Sequence, residues 1–579
     1  MKIQIKLFTT VLLVMCIALI TACGQDGAAG VAADGVEVDA AAPEQDAGTA
    51  AAEATGNPTF NPTGFPIMSE PITFTAFIEG GTGVDWEANL FLQEFGELTN
   101  VFFDIQPAPS GSDGLARRNL LLASGDYPDV FFTGWGTMFT KSDVMQFGAR
   151  EGIIVPVTRF VEDYGINMQR VFAHNPNFRI SATAPDGEIY GVPRFSECFH
   201  CQAYPKIYMR QDWLDILNLD MPTTTEEFRN VLRAFVDDDP AGIGSENVVG
   251  LMGATTWNTM VEFALMGMSF QTVVPDFWLS YCRDFRDIVI SPMTDYYREG
   301  LRYIRSLYEE GLIDRASFTQ PDDQMAQAVR TYPFSVGAFV VDHPAMGFYL
   351  GNEDESRNYQ IMLPLAGPDG FRKQGDNANE GEVGGFHAVI TDIAQFPEAA
   401  FRFIDAIMMD DEINMQRFHG RRGLGWDFAP EGTRDVFGNP ARFVVLDMDS
   451  VERSEMLDLY GFGAGPQADL APFRLSMLPE VENIYLPGSY EQRITLDTVP
   501  LLPFRPDVRL ERNIFVPLEM LSEFSEIQAN LNSFFRMTTV QFIIGDRCIE
   551  TEWDQFINEA ERFNVHRYVE IYKIATGRN

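Results

Sequence analysis

The sequence predicts a mixed α/β body built from parallel βαβ units and ending in a helical block. Short β-rich runs alternate with helical-period segments between residues 72 and 132. From Glu519 onward only helical spacing remains. The chain has 579 residues, 46% hydrophobic and 12% aromatic, which is ample for a sizeable core.

The first segment reads as an address. Lys2 and Lys6 precede an apolar run from Leu7 to Ile20, followed by Thr21-Ala22-Cys23-Gly24. A basic start, a short apolar centre and small residues before a cleavage point describe an export signal over residues 1–22. Placed directly after the small residue, Cys23 resembles the acylated cysteine of a bacterial lipoprotein, which implies diacylation and a lipid anchor. Ordinary secretion with an incidental Cys is the alternative. Residues 23–69 are rich in Ala, Gly, Asp, Glu and Pro and nearly lack large apolar side chains until Phe60. Such a composition cannot offset chain entropy by burial, so it is expected to act as a flexible tether with a reach of about 35–40 Å.

The body follows element by element. Ile72–Ile78 is strand-like and ends at Glu79-Gly80-Gly81. A helix is expected to start at Asp85 as N-cap, with Trp86, Leu90, Phe91, Phe95 and Leu98 at helical spacing. Val101–Ile105 and Asp129–Phe132 are further strands flanking a helix over Leu115–Ala123. Thr223 with Glu226 reads as a capping box opening a helix through Phe235. Leu301, Ile304 and Tyr308 mark a helix stopped by Gly311, while Gly337–Val341 and Phe386–Ile390 are short apolar strands. Met520, Phe524, Ile527, Leu531 and Phe534, and then Trp553, Phe556, Ala560 and Phe563, keep helical spacing. Trp213, Trp278 and Trp553 are expected in the core.

Lys plus Arg total 42 against 83 Asp plus Glu, a formal charge of −41, and only six of the basic residues are lysines. A surface of this sign repels polyanions and argues against a nucleic-acid partner. Six histidines are scattered singly, without H-E-x-x-H, and no P-loop, G-x-S-x-G or G-x-G-x-x-G stands out. No cofactor and no metal are expected. Asp237-Asp238-Asp239 and Asp410-Asp411-Glu412 lack the alternating pattern of a calcium loop and read as solvated charge.

Several local motifs occur in a fixed order behind the export signal. They are Leu122-Ala123-Ser124-Gly125-Asp126-Tyr127-Pro128-Asp129-Val130, Asp186-Gly187-Glu188-Ile189-Tyr190-Gly191-Val192-Pro193, Tyr208-Met209-Arg210-Gln211-Asp212-Trp213-Leu214, Met221-Pro222-Thr223-Thr224-Thr225-Glu226-Glu227-Phe228, Gly337-Ala338-Phe339-Val340 and Pro397-Glu398-Ala399-Ala400. Together they resemble the extracellular solute-binding proteins of sugar and oligosaccharide ABC importers, the group that includes maltose-binding protein. The resemblance spans roughly residues 70–575. It implies a type II periplasmic-binding-protein-like fold of two α/β lobes with hinge crossings. Lobe one would hold residues 70–193 and 365–412, and lobe two residues 194–364 and 413–579. It further implies capture of an oligosaccharide, delivery to ABC permease subunits, a monomer, no catalysis, and a place on the outer face of the cytoplasmic membrane through Cys23.

Sugars favour aromatic platforms flanked by charged or amide groups, placed beyond the carboxyl ends of strands. Asp85 and Trp86 follow the first strand, where the resemblance implies ligand contacts; a cap and a core Trp are the other reading. Trp135 sits between Gly134 and Gly136, which leave its indole open. Arg194, at the expected crossing, either meets ligand or forms a structural ion pair. Trp257 occupies a loop where related binders carry a stacking aromatic. Asp342, beside His343, ends a strand. Trp426 closes Gly420-Arg421-Arg422-Gly423-Leu424-Gly425, whose arginine pair either recognises a carboxylate or is solvated.

Besides Cys16 and Cys23, four cysteines remain: Cys198, Cys201, Cys282 and Cys548. Cys198-Phe199-His200-Cys201 has C-x-x-C spacing without a second ligand pair or a thioredoxin-like unit, so it forms either a local disulfide or free thiols. Two rival functions stay open from residues alone: a lipid-anchored glycosidase, which needs a carboxylate pair that no motif selects, and a glycan-capture surface protein without a transporter.

Overall fold

The computed structural model describes residues 58–579 except Trp135, Thr137, Tyr204, Trp257, Pro275, 284–285, 343–352, 376–380, 409–410, 447–449, Asp507 and Asn579. The export segment, Cys23 and most of the expected tether lie outside the described residues, as do the candidates Trp135 and Trp257.

Along the chain the first sheet takes β1 (Ile72–Glu79), β2 (Val101–Ala108), β3 (Val130–Phe132) and β4 (Val192–Pro193), and a short connecting strand, β5 (Phe195–Ser196), follows at once. The second sheet opens with β6 (Lys206–Arg210) and β7 (Val249–Met252). A separate hairpin, β8 (Leu279–Tyr281) and β9 (Ile288–Ile290), precedes its last strands, β10 (Val336–Val341) and β11 (Tyr359–Ile361). The chain then returns to the first sheet as β12 (Phe386–Ile390) and forms a hairpin from β13 (Trp426–Phe428) and β14 (Phe443–Val445). Finally β15 (Ala468–Asp469) pairs in parallel with β5.

The first sheet has the order β2-β1-β3-β12-β4 and the second β11-β6-β10-β7. β1 runs parallel to both β2 and β3, with Ile72 opposite Val101 and Ala76 opposite Val130. This is the βαβ pattern that the strand–helix alternation predicts. β3, β10 and β12 are buried at every position, as expected where helices cover both faces of a sheet. Buried apolar side chains of both sheets and of the C-terminal helices join one connected core cluster. Trp213, Trp278 and Trp553 are all buried.

Two helix starts differ from expectation. The first helix spans Leu90–Thr99 and is capped by Asn89, not Asp85. Asp85 instead accepts from the Ala88 amide at 3.1 Å in a turn. Both residues have capping side chains, but Asn89 is buried and its amide also donates to the carbonyls of Asp458 and Gly461. That tertiary anchor fixes where the helix begins. The second capping box is shifted by one residue: Thr224 and Glu227 cap each other reciprocally at the start of Thr225–Asp238. Thr223 adds its own hydroxyl to Glu227 at 2.7 Å.

The segment after residue 412 also departs from the expected arrangement. The helices Asp411–His419 and Ser450–Tyr460 lead to Phe462, whose ring meets Phe91, Phe132 and Trp86 of the first sheet's region at 6.0, 5.5 and 6.3 Å. Phe462 and the end of the second of these helices therefore pack against the first sheet's region, where Asn89 donates to the Asp458 and Gly461 carbonyls. Helical spacing shows that a face is apolar but not which sheet it covers.

The C-terminal helices are Leu518–Ile544, Ile549–Glu561 and Val565–Thr576. Thr539 bonds Tyr297 at 2.8 Å and Asn532 accepts from the Trp278 indole at 3.1 Å. Phe462→Ala is expected to cost about 3–5 kcal/mol by emptying an aromatic cluster. Urea unfolding checks this; a loss below about 1 kcal/mol would show that the ring does not hold residues 411–462 in place.

Candidate functional site

Three loops at the carboxyl end of the first sheet are held by one carboxylate. Glu79, the last residue of β1, accepts from the amides of Gly111 at 2.9 Å and Gly134 at 2.6 Å. A side chain at Gly134 or Gly136 would strike this carboxylate, at 2.5 and 2.8 Å from an added Cβ. The glycines around Trp135 are thus required by close approach to Glu79.

Beside Glu79 lies a cavity of about 250 Å³ bounded by Gly81, Trp86, Arg417, Phe418, Leu457 and Asp458. The Trp86 indole, half-buried, donates to the Gly81 carbonyl at 3.2 Å and stands edge-on to Phe462. Asp85 is exposed and does not line this cavity. Arg417 is fully buried and donates to the carbonyls of Ile407, Phe462, Ala464 and Pro466. Burial draws its guanidinium down to about 9, and the four carbonyls supply the acceptors it loses from water.

The passage between the sheets runs through β5 and β15. Arg194 forms an ion pair with Asp469, which also accepts from Gln467 at 2.5 Å and lies 3.7 Å from Arg474. Burial pushes the Asp469 carboxyl up, but Arg194 and Arg474 beside it hold it below the usual range. The structural reading of Arg194 is therefore the one the geometry supports. Glu197 secures the same passage by meeting His174 Nε2 at 2.9 Å and accepting from Asn175 at 3.2 Å and from the Ala471 amide at 2.9 Å. Cys198 and Cys201 are joined in a disulfide here, with Cα atoms 5.3 Å apart. With His200 they form the one group of potential metal ligands among the described residues, and the bridge occupies both sulfurs.

Asp342 follows β10 and is half-buried. Its carbonyl lies 3.4 Å from the Lys206 ammonium, which also donates to the carbonyls of His200 and Ala203. Burial lowers Lys206 to about 7, against the attraction of Asp342 and Asp497. Asp497 in turn accepts from Tyr208 at 2.9 Å and Arg493 at 3.3 Å.

Trp426 is not part of this arrangement. It is 2% exposed, packs against Phe428 and Phe443, and donates its indole N–H to the Gly420 carbonyl at 2.9 Å. The β13–β14 hairpin turns its ring into a small core of its own. Arg421 stacks on Tyr460 and Arg422 pairs with Asp427 at 3.0 Å, so neither stands as a bare cation. Sequence reasoning missed Glu79, Lys206, Arg417 and Asp458. Only Glu79, an acid at a strand end before two glycines, carried a local signal.

No helix among the described residues is long and apolar enough to cross a membrane. No family model matches the chain. The fructooligosaccharide ABC transporter substrate-binding protein FusA of Streptococcus pneumoniae serotype 4 is 25% identical over 493 residues, covering 84% of this chain and 86% of that protein. The chain is a homologue of ABC-transporter substrate-binding proteins. The substrate-binding proteins it resembles also include the polygalacturonan/rhamnogalacturonan-binding protein YtcQ of Bacillus subtilis, 25% identical over 347 residues, 56% of this chain and 61% of that protein. The solved structure of S. pneumoniae FusA in complex with kestose matches this chain with a TM-score of 0.70 at 23% identity, covering 87% of this chain and 98% of that one. A solute-binding protein from Bifidobacterium longum infantis, described as HMO binding, matches with a TM-score of 0.69 at 17% identity over 87% of this chain and 98% of its own. The fold is therefore the type II periplasmic-binding-protein-like fold.

Two predictions test the electrostatics. Arg194→Gln leaves the Asp469 carboxylate, 8% exposed, without its nearest cation. A loss of about 3–5 kcal/mol in urea unfolding is expected, because a buried charge left without its partner is strongly destabilising. Burial also drives His419 down to about 4. The unfolded chain, with an ordinary imidazole, takes up the proton first as pH falls through about 6.5. Wild type should thus lose stability relative to His419→Gln between about pH 6.5 and 4, by about 2 kcal/mol at pH 5. Melting curves of both proteins at pH 7 and pH 5 measure it, and a constant gap would refute the assignment.

Proposed function

We propose that this protein captures an oligosaccharide outside the cell and delivers it to the permease of an ABC importer, without breaking a bond in the ligand. The observation that carries the reading is the kinship over 493 residues with a fructooligosaccharide-binding protein, together with a shared fold over 87% of the chain. Two sheets fed by separate parts of the chain, and joined through β5 and β15, suit a protein that closes two lobes on a guest. Lobe one would take residues 70–193 and 386–462, and lobe two residues 206–361 and the C-terminal helices. A ligand that binds the closed arrangement better shifts the population toward it, and that shape is what a permease can read.

In this reading Trp86, Trp135 and Trp257 offer platforms to the apolar faces of sugar rings, and Asp342 takes a hydroxyl. Cys23 would carry the lipid that keeps the monomer at the outer face of the cytoplasmic membrane. Catalysis is left out because the relatives are binding proteins. Titration calorimetry of the mature chain with kestose and with neutral oligosaccharides of other linkages tests the ligand class. Saturable binding of at least one is expected, and binding only of peptides would reject a carbohydrate ligand. Trp86→Ala should weaken that binding about tenfold, in line with the loss of one aromatic contact. Release of reducing sugar on long incubation would reject a pure binding role.

A further inference from the structure

A second cavity, of about 680 Å³, lies away from the residues just described. It shares no lining residue with the cavity beside Trp86. Its wall comes from five stretches of chain: Lys141, the helix Pro176–Ala182 with Thr183 and Pro185, the segment Gly381–Glu382 just before β12, residues 509–515, and the end of the last helix.

Its most unusual feature is the Lys141 ammonium. Lys141 is 6% exposed, and its Nζ donates to two neutral acceptors, the Asn513 carbonyl at 2.8 Å and Ser181 Oγ at 3.1 Å. The ammonium also sits 4.8 Å from the centre of the Phe515 ring. An ammonium has three N–H donors, so one remains beyond these two bonds. Among the described residues no carboxylate comes within ion-pair distance of it. The nearby Glu382 turns one carboxylate oxygen to the amides of Arg512 and Asn513, at 3.0 and 2.7 Å. Burial draws Lys141 down to about 8 against the pull of Glu382 and Glu511. A buried cation whose nearest acids stay beyond ion-pair distance is costly, and an anion brought within reach by a ligand lowers that cost.

The rest of the wall adds to this. Arg509 and Arg578 also line the cavity, the latter 3.6 Å from Glu511. Asn177 and Thr183 supply polar groups, and Leu510 an apolar surface. The volume suits a small molecule rather than a lone ion. We propose that this cavity is a second binding site, separate from the oligosaccharide site, for a small sugar acid whose carboxylate meets Lys141. It does not depend on the oligosaccharide reading.

The test is titration calorimetry of the mature chain with D-glucuronate, D-glucose and inorganic phosphate. Glucuronate should bind, with glucose at least tenfold weaker. Lys141→Met should weaken glucuronate at least tenfold while still melting cooperatively. Absence of glucuronate binding, or unchanged affinity in Lys141→Met, overturns the proposal. Phosphate binding as tightly as glucuronate overturns the sugar part, because the site would then read charge alone. Should Lys141→Met fail to melt cooperatively, Asn177→Leu decides instead: about a fivefold loss supports the site and no change overturns it. Displacement of glucuronate by saturating kestose would place both ligands in one site and overturn the separation. Failure of kestose to bind at all would count against the oligosaccharide reading and leave the glucuronate result to be judged independently.

Discussion

The two sheets are joined where β5 and β15, strands more than two hundred and fifty residues apart in sequence, pair for two residues. So short a ladder holds little by its own backbone bonds. It is held by charge: Arg194, just before one strand, against Asp469 on the other, with Gln467 and Arg474 closing around the carboxylate. In a water-poor site this pair is strong only while complete. Glu197 then fastens β5 to the helices behind the first sheet, and the disulfide fixes the next few residues. This passage adds a polar link to the apolar core cluster that the two sheets share.

The strong preference for arginine over lysine fits the interior. Arg417, Arg493 and Arg118 are among the largest fully buried side chains. Arg417 reaches four carbonyls, and Arg493 meets the carbonyls of Ser356 and Tyr359 while pairing with Asp497. A planar guanidinium bonds several acceptors at once and keeps its proton when buried. Burial lowers both kinds of cation, Arg417 to about 9, Lys141 to about 8 and Lys206 to about 7, so the lysines come closest to neutral pH. Lysine therefore stands at positions where a mobile proton or an unmatched charge has consequences.

Reading the residues alone recovered β1, β2, β3, β10, β12 and the terminal helices, because period and β-branching are local signals, and passed over β4, β6, β7 and β11. It placed one cap four residues early, at Asp85 instead of Asn89, since two capping side chains look alike until one is buried against residues 458 and 461. Trp426 stands after a glycine-bearing turn, as a ligand contact would, but a hairpin turns it inward. Glu79 went unnoticed because its partners, Gly111 and Gly134, lie on other loops.

What the sequence by itself determined was the alternation of strand and helix, the α-helical end, the acidic surface and the ordered motifs of a solute-binding protein, all properties of residues near one another in the chain. Tertiary structure alone decided that Phe462 packs against the first sheet, that Arg194 pairs with Asp469, and that Lys141 is buried on neutral acceptors. Each of these joins positions far apart in sequence, and no local pattern records which distant group a buried side chain will meet.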